Sequence, residues 1–107
     1  MAMNQSFMDL VMDQLSGIEG LRGKKMFGGA GLFKDEAMFG LIAEATLYLK
    51  ADDRNRPDYE RHGKGPFRPY KDKDRTMPYY EVPEEVLEDR EELRKWALKA
   101  IEARKRK

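Results

Sequence analysis

Two lysines stand directly ahead of three glycines in KKMFGGAGLF, residues 24–33. Glycine beside lysine is the composition of loops that hold phosphate. Bare backbone N–H groups approach the oxygens, and an ammonium neutralises their charge. The spacing does not follow through. A loop of the form G-x-x-x-x-G-K-[ST] would need glycine where Ile18 stands and a hydroxyl where Lys25 stands. Gly63-Lys64 fails in the same way, with Asp58 and Gly65 at those places. Gly29-Ala30-Gly31 is followed by strand-like sequence rather than by a helix opening, so the dinucleotide fingerprint fails too. The cluster reads as a bulge or tight turn between strands.

Other chemistry is equally thin. His62 is the sole histidine, and a Ser-His-Asp triad would have to form around it. It falls at the end of a short expected helix, where an imidazole serves the last carbonyls. Ser6 and Ser16 are the only serines, and both sit at helix ends. With no cysteine there is no disulfide, thiolate nucleophile or Cys-ligated metal. Adjacent acids such as Glu84-Glu85 and Glu91-Glu92 do not face each other on a helix and read as solvated surface. Asp72 and Asp74 lack the ligand count of a calcium loop. The expectation is no catalytic residue, no metal site and no cofactor.

Aromatic and basic residues interleave once, from Phe67-Arg68-Pro69-Tyr70-Lys71 through Arg75 to Tyr79-Tyr80. Rings with cations can stack and neutralise single-stranded nucleic acid, or grip a peptide. The same aromatics also suit a core under a hairpin, which is the preferred reading. Adjacent Tyr79 and Tyr80 cannot both face inward on a regular strand. Lys24, Lys25, Arg68, Lys71, Arg75, Tyr79 and Tyr80 are therefore the candidate interaction residues.

The elements that must place them follow from periodicity. Phe7, Leu10, Val11, Leu15 and Ile18 make a helical stripe, giving a helix near residues 5–17 that Gly17 and Gly20 end. Strands are expected over 21–27, from Gly31 to Phe33, over 37–43, and over 47–50 with Leu47 and Leu49 inward. Phe39, Leu41 and Ala43 should share one face of the third strand, with Met38, Gly40 and Ile42 on the other. Both faces are apolar, so that strand should be central. A short helix from Pro57 to Arg61 stops at Gly63, and residues 63–70 read as loop. A hairpin pairs Tyr70-Lys71 with 76–82, bulged or at an edge where Pro78 cannot donate. Pro83 opens a helical region. Asp89 and Glu92 form a cap pair ahead of the stripe Leu93, Trp96, Ala97, Ala100, Ile101. The basic end, residues 104–107, is expected to fray.

The class is α+β, an antiparallel sheet with helices on one face, ordered α-β(3–4)-α-β(2)-α. A chain of 107 residues suits one domain over 1–107. Net charge is +1, which argues against a dedicated duplex binder. No apolar run approaches a membrane span and the N-terminus lacks a signal-like h-region, so no membrane partner is expected and the cytoplasm is the expected compartment.

Four stretches in order, KKMFGGAGLFKDEAMFGLIAEATLYLKAD, GPFRPY, MPYYEVPEEVLED and a last helix with Leu93 and Trp96-Ala97, resemble the N-terminal domain of the TfoX/Sxy family over residues 5–103. The resemblance implies a secretion-chaperone-like α-β3-α-β2-α fold and a link to natural competence. Full-length members act as regulators of competence genes alongside the cyclic-AMP receptor protein and carry a second, helical domain not matched here. It transfers no catalytic residue. It implies a non-enzymatic regulatory domain whose partner is protein, from the transcription machinery or its activators. Nucleic acid, held by the aromatic-basic hairpin and the basic C-terminal end, is the alternative. Self-association is also expected, because a two-layer domain leaves one sheet face to cover.

Overall fold

The computed structural model describes residues 5–26, 28–67 and 77–105. Helix α1 (Gln5–Gln14) leads into a meander of β1 (Leu21–Met26), β2 (Gly29–Lys34), β3 (Ala37–Ala43) and β4 (Thr46–Lys50). Helix α2 (Arg56–Glu60), β5 (Pro66–Phe67), β6 (Met77–Glu81), α3 (Glu84–Leu87) and α4 (Arg90–Lys105) complete the order. The sheet runs β1-β2-β3-β4-β6-β5, antiparallel throughout. This is the expected α+β architecture, with the four-strand opening that the residues indicate rather than the three-strand one of the resemblance.

The inner face carries Ala30, Leu32, Ile42, Leu47 and Leu49, all buried. The stripe of α4 covers it, with Leu93, Ala97 and Ala100 fully excluded from water. Asp89 caps α4 as expected: its Oδ1 accepts from the N–H groups of Glu91 and Glu92 at 3.1 Å each. The helix runs to Lys105, two residues into the stretch expected to fray. Residues 106–107 lie outside the described residues. Asn55 precedes α2 but does not cap it. Its amide oxygen accepts from the Asp52 N–H at 2.7 Å and its amide nitrogen donates to the Lys50 carbonyl at 3.1 Å, closing the loop from β4 instead.

Two expectations need correction. Phe39 does not share a face with Leu41. The β2–β3 register slips between Leu32 and Phe33, so that Leu32 opposes Gly40 while Phe33 opposes Met38. The extra residue, Phe39, turns into the core and is fully buried. The stretch 63–70 is not all loop, because Pro66–Phe67 pairs with β6. Pro66 opposes Tyr80 and Phe67 opposes Met77, so Pro78 sits in the irregularity that its missing N–H requires. The strand expected at Tyr70-Lys71 lies outside the described residues.

The glycine cluster is the device that closes β1 onto β2. Gly28 takes φ +76° in the turn. Gly29 follows it, and a Cβ there would run into the carbonyl oxygen of Ile42 on β3. That obstacle is backbone and cannot swing aside. Gly29→Ala should therefore destabilise the protein by about 2 kcal/mol or more. In a urea titration that shows this loss, Gly65→Ala, where nothing lies within reach, should be close to neutral.

Candidate functional site

The sheet separates the residues that the sequence singled out. Lys24 and Lys25 lie on β1, opposite Gly31 and Ala30 of β2. They point to opposite faces, as two strand neighbours must. Tyr79 and Tyr80 lie on β6, opposite Lys50 and Leu49 of β4. Four strand spacings divide β1 from β6, roughly 19 Å. The lysines and tyrosines therefore belong to different parts of the surface. Arg68, Lys71 and Arg75 lie outside the described residues.

The tyrosine pair splits as its alternation demands. Tyr80 faces inward and packs on Tyr59 of α2, with ring centroids 5.6 Å apart. Tyr59 in turn meets Trp96 of α4 edge-on at 4.8 Å. Tyr79 faces the other way, under the Lys50 ammonium 5.5 Å from its ring centre, and is buried. Burial pushes its phenol pKa upward. Neither ring is presented as a bare stacking platform. The outer face also carries Tyr48 against Phe67, centroids 4.8 Å apart, and Arg22 over Phe33 at 5.8 Å.

His62 does what its place at a helix end suggests. Its Nδ1 lies 3.0 Å from the Asp58 carbonyl oxygen, and its ring packs edge-on against Trp96 at 5.7 Å. No serine hydroxyl is aligned with it, and Ser16 is engaged near Arg90 instead. A cavity of about 240 Å³ between the β4–α2 loop and α4 is lined by Asp52, Arg54, Asn55, Lys99 and Glu102. Its cations are already spent. Arg54 donates to Asp52 at 3.1 and 3.2 Å and to the Glu102 carbonyl at 3.3 Å, and Lys99 donates to Asp58 at 2.9 Å. It is a clasp between loop and helix. Among the described residues no three His, Cys, Asp or Glu side chains are grouped to hold a metal, and no helix is long and apolar enough to cross a membrane.

What remains conspicuous is β1. Arg22, Lys24 and Lys25 fall within four residues and are all exposed on a strand at the sheet margin. Reading the sequence singled out the two lysines but missed Arg22, and it did not identify the strand as an edge. The signal was available in the lysines themselves, since charged side chains commonly guard exposed strand edges.

The family model for the TfoX N-terminal domain matches residues 13–104. No curated protein matches the chain.

Two predictions follow from the contacts beneath α2. The Tyr59 hydroxyl is buried with no hydrogen-bond partner among the described residues, and desolvation drives its pKa far up. Tyr59→Phe removes the stranded group and keeps the ring, so it should raise stability by about 1 kcal/mol in a urea titration. Asp58 is held between Lys99 at 2.9 Å and Arg61 at 2.6 Å. Partial burial lifts its pKa, but the two cations outweigh that and leave it below the ordinary 3.8. A depressed folded pKa contributes stability at neutral pH that is lost as pH falls through that value. Asp58→Asn should cost about 0.5–1 kcal/mol at pH 7, and the gap to the parent should close in unfolding curves recorded below about pH 4.

Proposed function

The chain belongs to the TfoX N-terminal domain family, and from that premise we propose that it is a non-enzymatic regulatory domain that works by binding another protein. The observation that carries this reading is the near full-length family match. The state of the polar groups supports it. The sole histidine serves a helix end, and the cavity cations are paired, Arg54 with Asp52 and the Glu102 carbonyl and Lys99 with Asp58 of α2. Those groups hold α2 and the β4–α2 loop to α4, which leaves them unsuited to proton transfer on a substrate.

The regulated process by this reading is competence, meaning uptake of DNA, and the partner is the transcription machinery or one of its activators in the cytoplasm. A protein partner is preferred to nucleic acid because the net charge is only +1, and because Tyr79 and Tyr80 are turned to opposite faces, Tyr79 buried and Tyr80 half-buried against Tyr59. Stacking on single strands needs exposed rings.

Tagged protein bound to native cell extract should retain one specific protein in stoichiometric amount, RNA polymerase and its activators being the first to look for. Binding should change little between about 0.05 and 0.2 M salt, whereas phosphate-driven binding weakens steeply over that range. Recovery of no specific protein, together with salt-sensitive binding to oligonucleotides, would reverse the assignment.

A further inference from the structure

The two ends of the sheet are built differently. At one end β5 is two residues long and opens with Pro66, which has no N–H to offer. At the other end β1 is six residues long, and each of its residues is exposed or half-buried. Its outer edge has no strand beside it among the described residues. Arg22 donates to the Asp35 carbonyl at 3.3 Å. The side chains of Lys24 and Lys25 make no ion pair and no hydrogen bond among the described residues.

The faces beside that edge differ usefully. Lys24 lies on the outer face with Met26, whose sulfur borders the space above Gly31. Lys25 lies on the inner face in line with Gly23, and the room Gly23 leaves is filled by the tips of Met8 and Met12 from α1. A strand laid along β1 would meet a cation on each face, and flexible thioethers that adapt to apolar side chains. A second copy cannot be that strand, because pairing β1 with itself would set its three cations against their own kind. The complementary occupant is acidic.

We propose that β1 is a docking edge for an extended segment of a partner protein, acidic and apolar in alternation, which adds to the sheet as a seventh strand. Backbone hydrogen bonds supply affinity, and carboxylates on the outer face beside Arg22 and Lys24 select the partner, with its apolar side chains on the inner face near the Met8 and Met12 tips. The proposal rests on the protein-binding reading above and names the surface and the class of partner.

The probe is a capped octapeptide of alternating glutamate and valine, titrated to millimolar concentration into the isotope-labelled full chain. Amide signals of residues 21–26 should shift and exchange more slowly with solvent. Lys24→Glu/Lys25→Glu should weaken binding at least about tenfold while its unfolding midpoint stays unchanged, and a peptide alternating lysine and valine should leave the signals still. The proposal is overturned if the β1 amides do not respond, if the response lies elsewhere, or if the double variant binds equally well. Oligothymidylate moving the same amides with equal affinity also overturns it, because the edge would then be a phosphate site. A cellular partner that still binds the double variant sinks the β1 proposal and leaves the protein-binding reading intact. Peptide binding at β1 with no cellular partner does the reverse.

Discussion

The distance between α4 and the sheet is set by the small residues in its stripe. Ala97 and Ala100 are fully buried between Leu93, Trp96 and Ile101, and their short side chains let the helix lie close over β3 and β4. That approach makes Leu47, Leu49 and Ile42 a dry layer, each leucine or isoleucine worth about 1.5–3 kcal/mol in transfer alone. Everything else is placed relative to this layer. Tyr59 reaches Trp96 only because α4 holds the indole still. Phe39 enters the core only because the β2–β3 bulge turns it toward the same layer.

Polar contacts then fasten the smaller helices to α4. Lys99 holds Asp58 of α2, Arg54 reaches the Glu102 carbonyl, and Arg90 grips Asp13 through both its carboxylate and its backbone oxygen. Each is exposed or half-exposed, so each contributes little energy alone. Their effect is orientation: Arg90, Lys99 and the Glu102 carbonyl, spaced along α4, fix how α1, α2 and the β4–α2 loop meet it. These contacts are thus committed to geometry, whereas the side chains of Lys24 and Lys25 at the sheet edge are exposed.

Local signals in the sequence were strong where one principle acted alone. The stripe of α4, the Asp89 cap, the inward Leu47 and Leu49 and the central third strand all follow from period and burial. So did the divergence of Tyr79 from Tyr80. Reading failed where pairing decided the outcome. Phe39 changed face because of a bulge set by its neighbour strand, which no alternation within 37–43 reveals. Pro66–Phe67 looked like loop because two residues carry no period. The β1 edge was hidden for the same reason: whether a strand is flanked on one side or two is a property of the sheet, not of the segment.

The ties on α1 have a temporal side. Gln14 donates to the Leu87 carbonyl and Asp13 accepts from Arg90, partners 73 and 77 residues away along the chain. A ribosome delivers α1 well before these partners. The meander can pair its strands as they emerge, since its turns are short. The first helix can rest Met8 and Met12 over Gly23 early, but its ties to Leu87 and Arg90 must wait, and contacts this distant in sequence are slow to close. The nascent chain therefore carries an incompletely covered helix until residues 87–90 emerge, and its final docking waits on them.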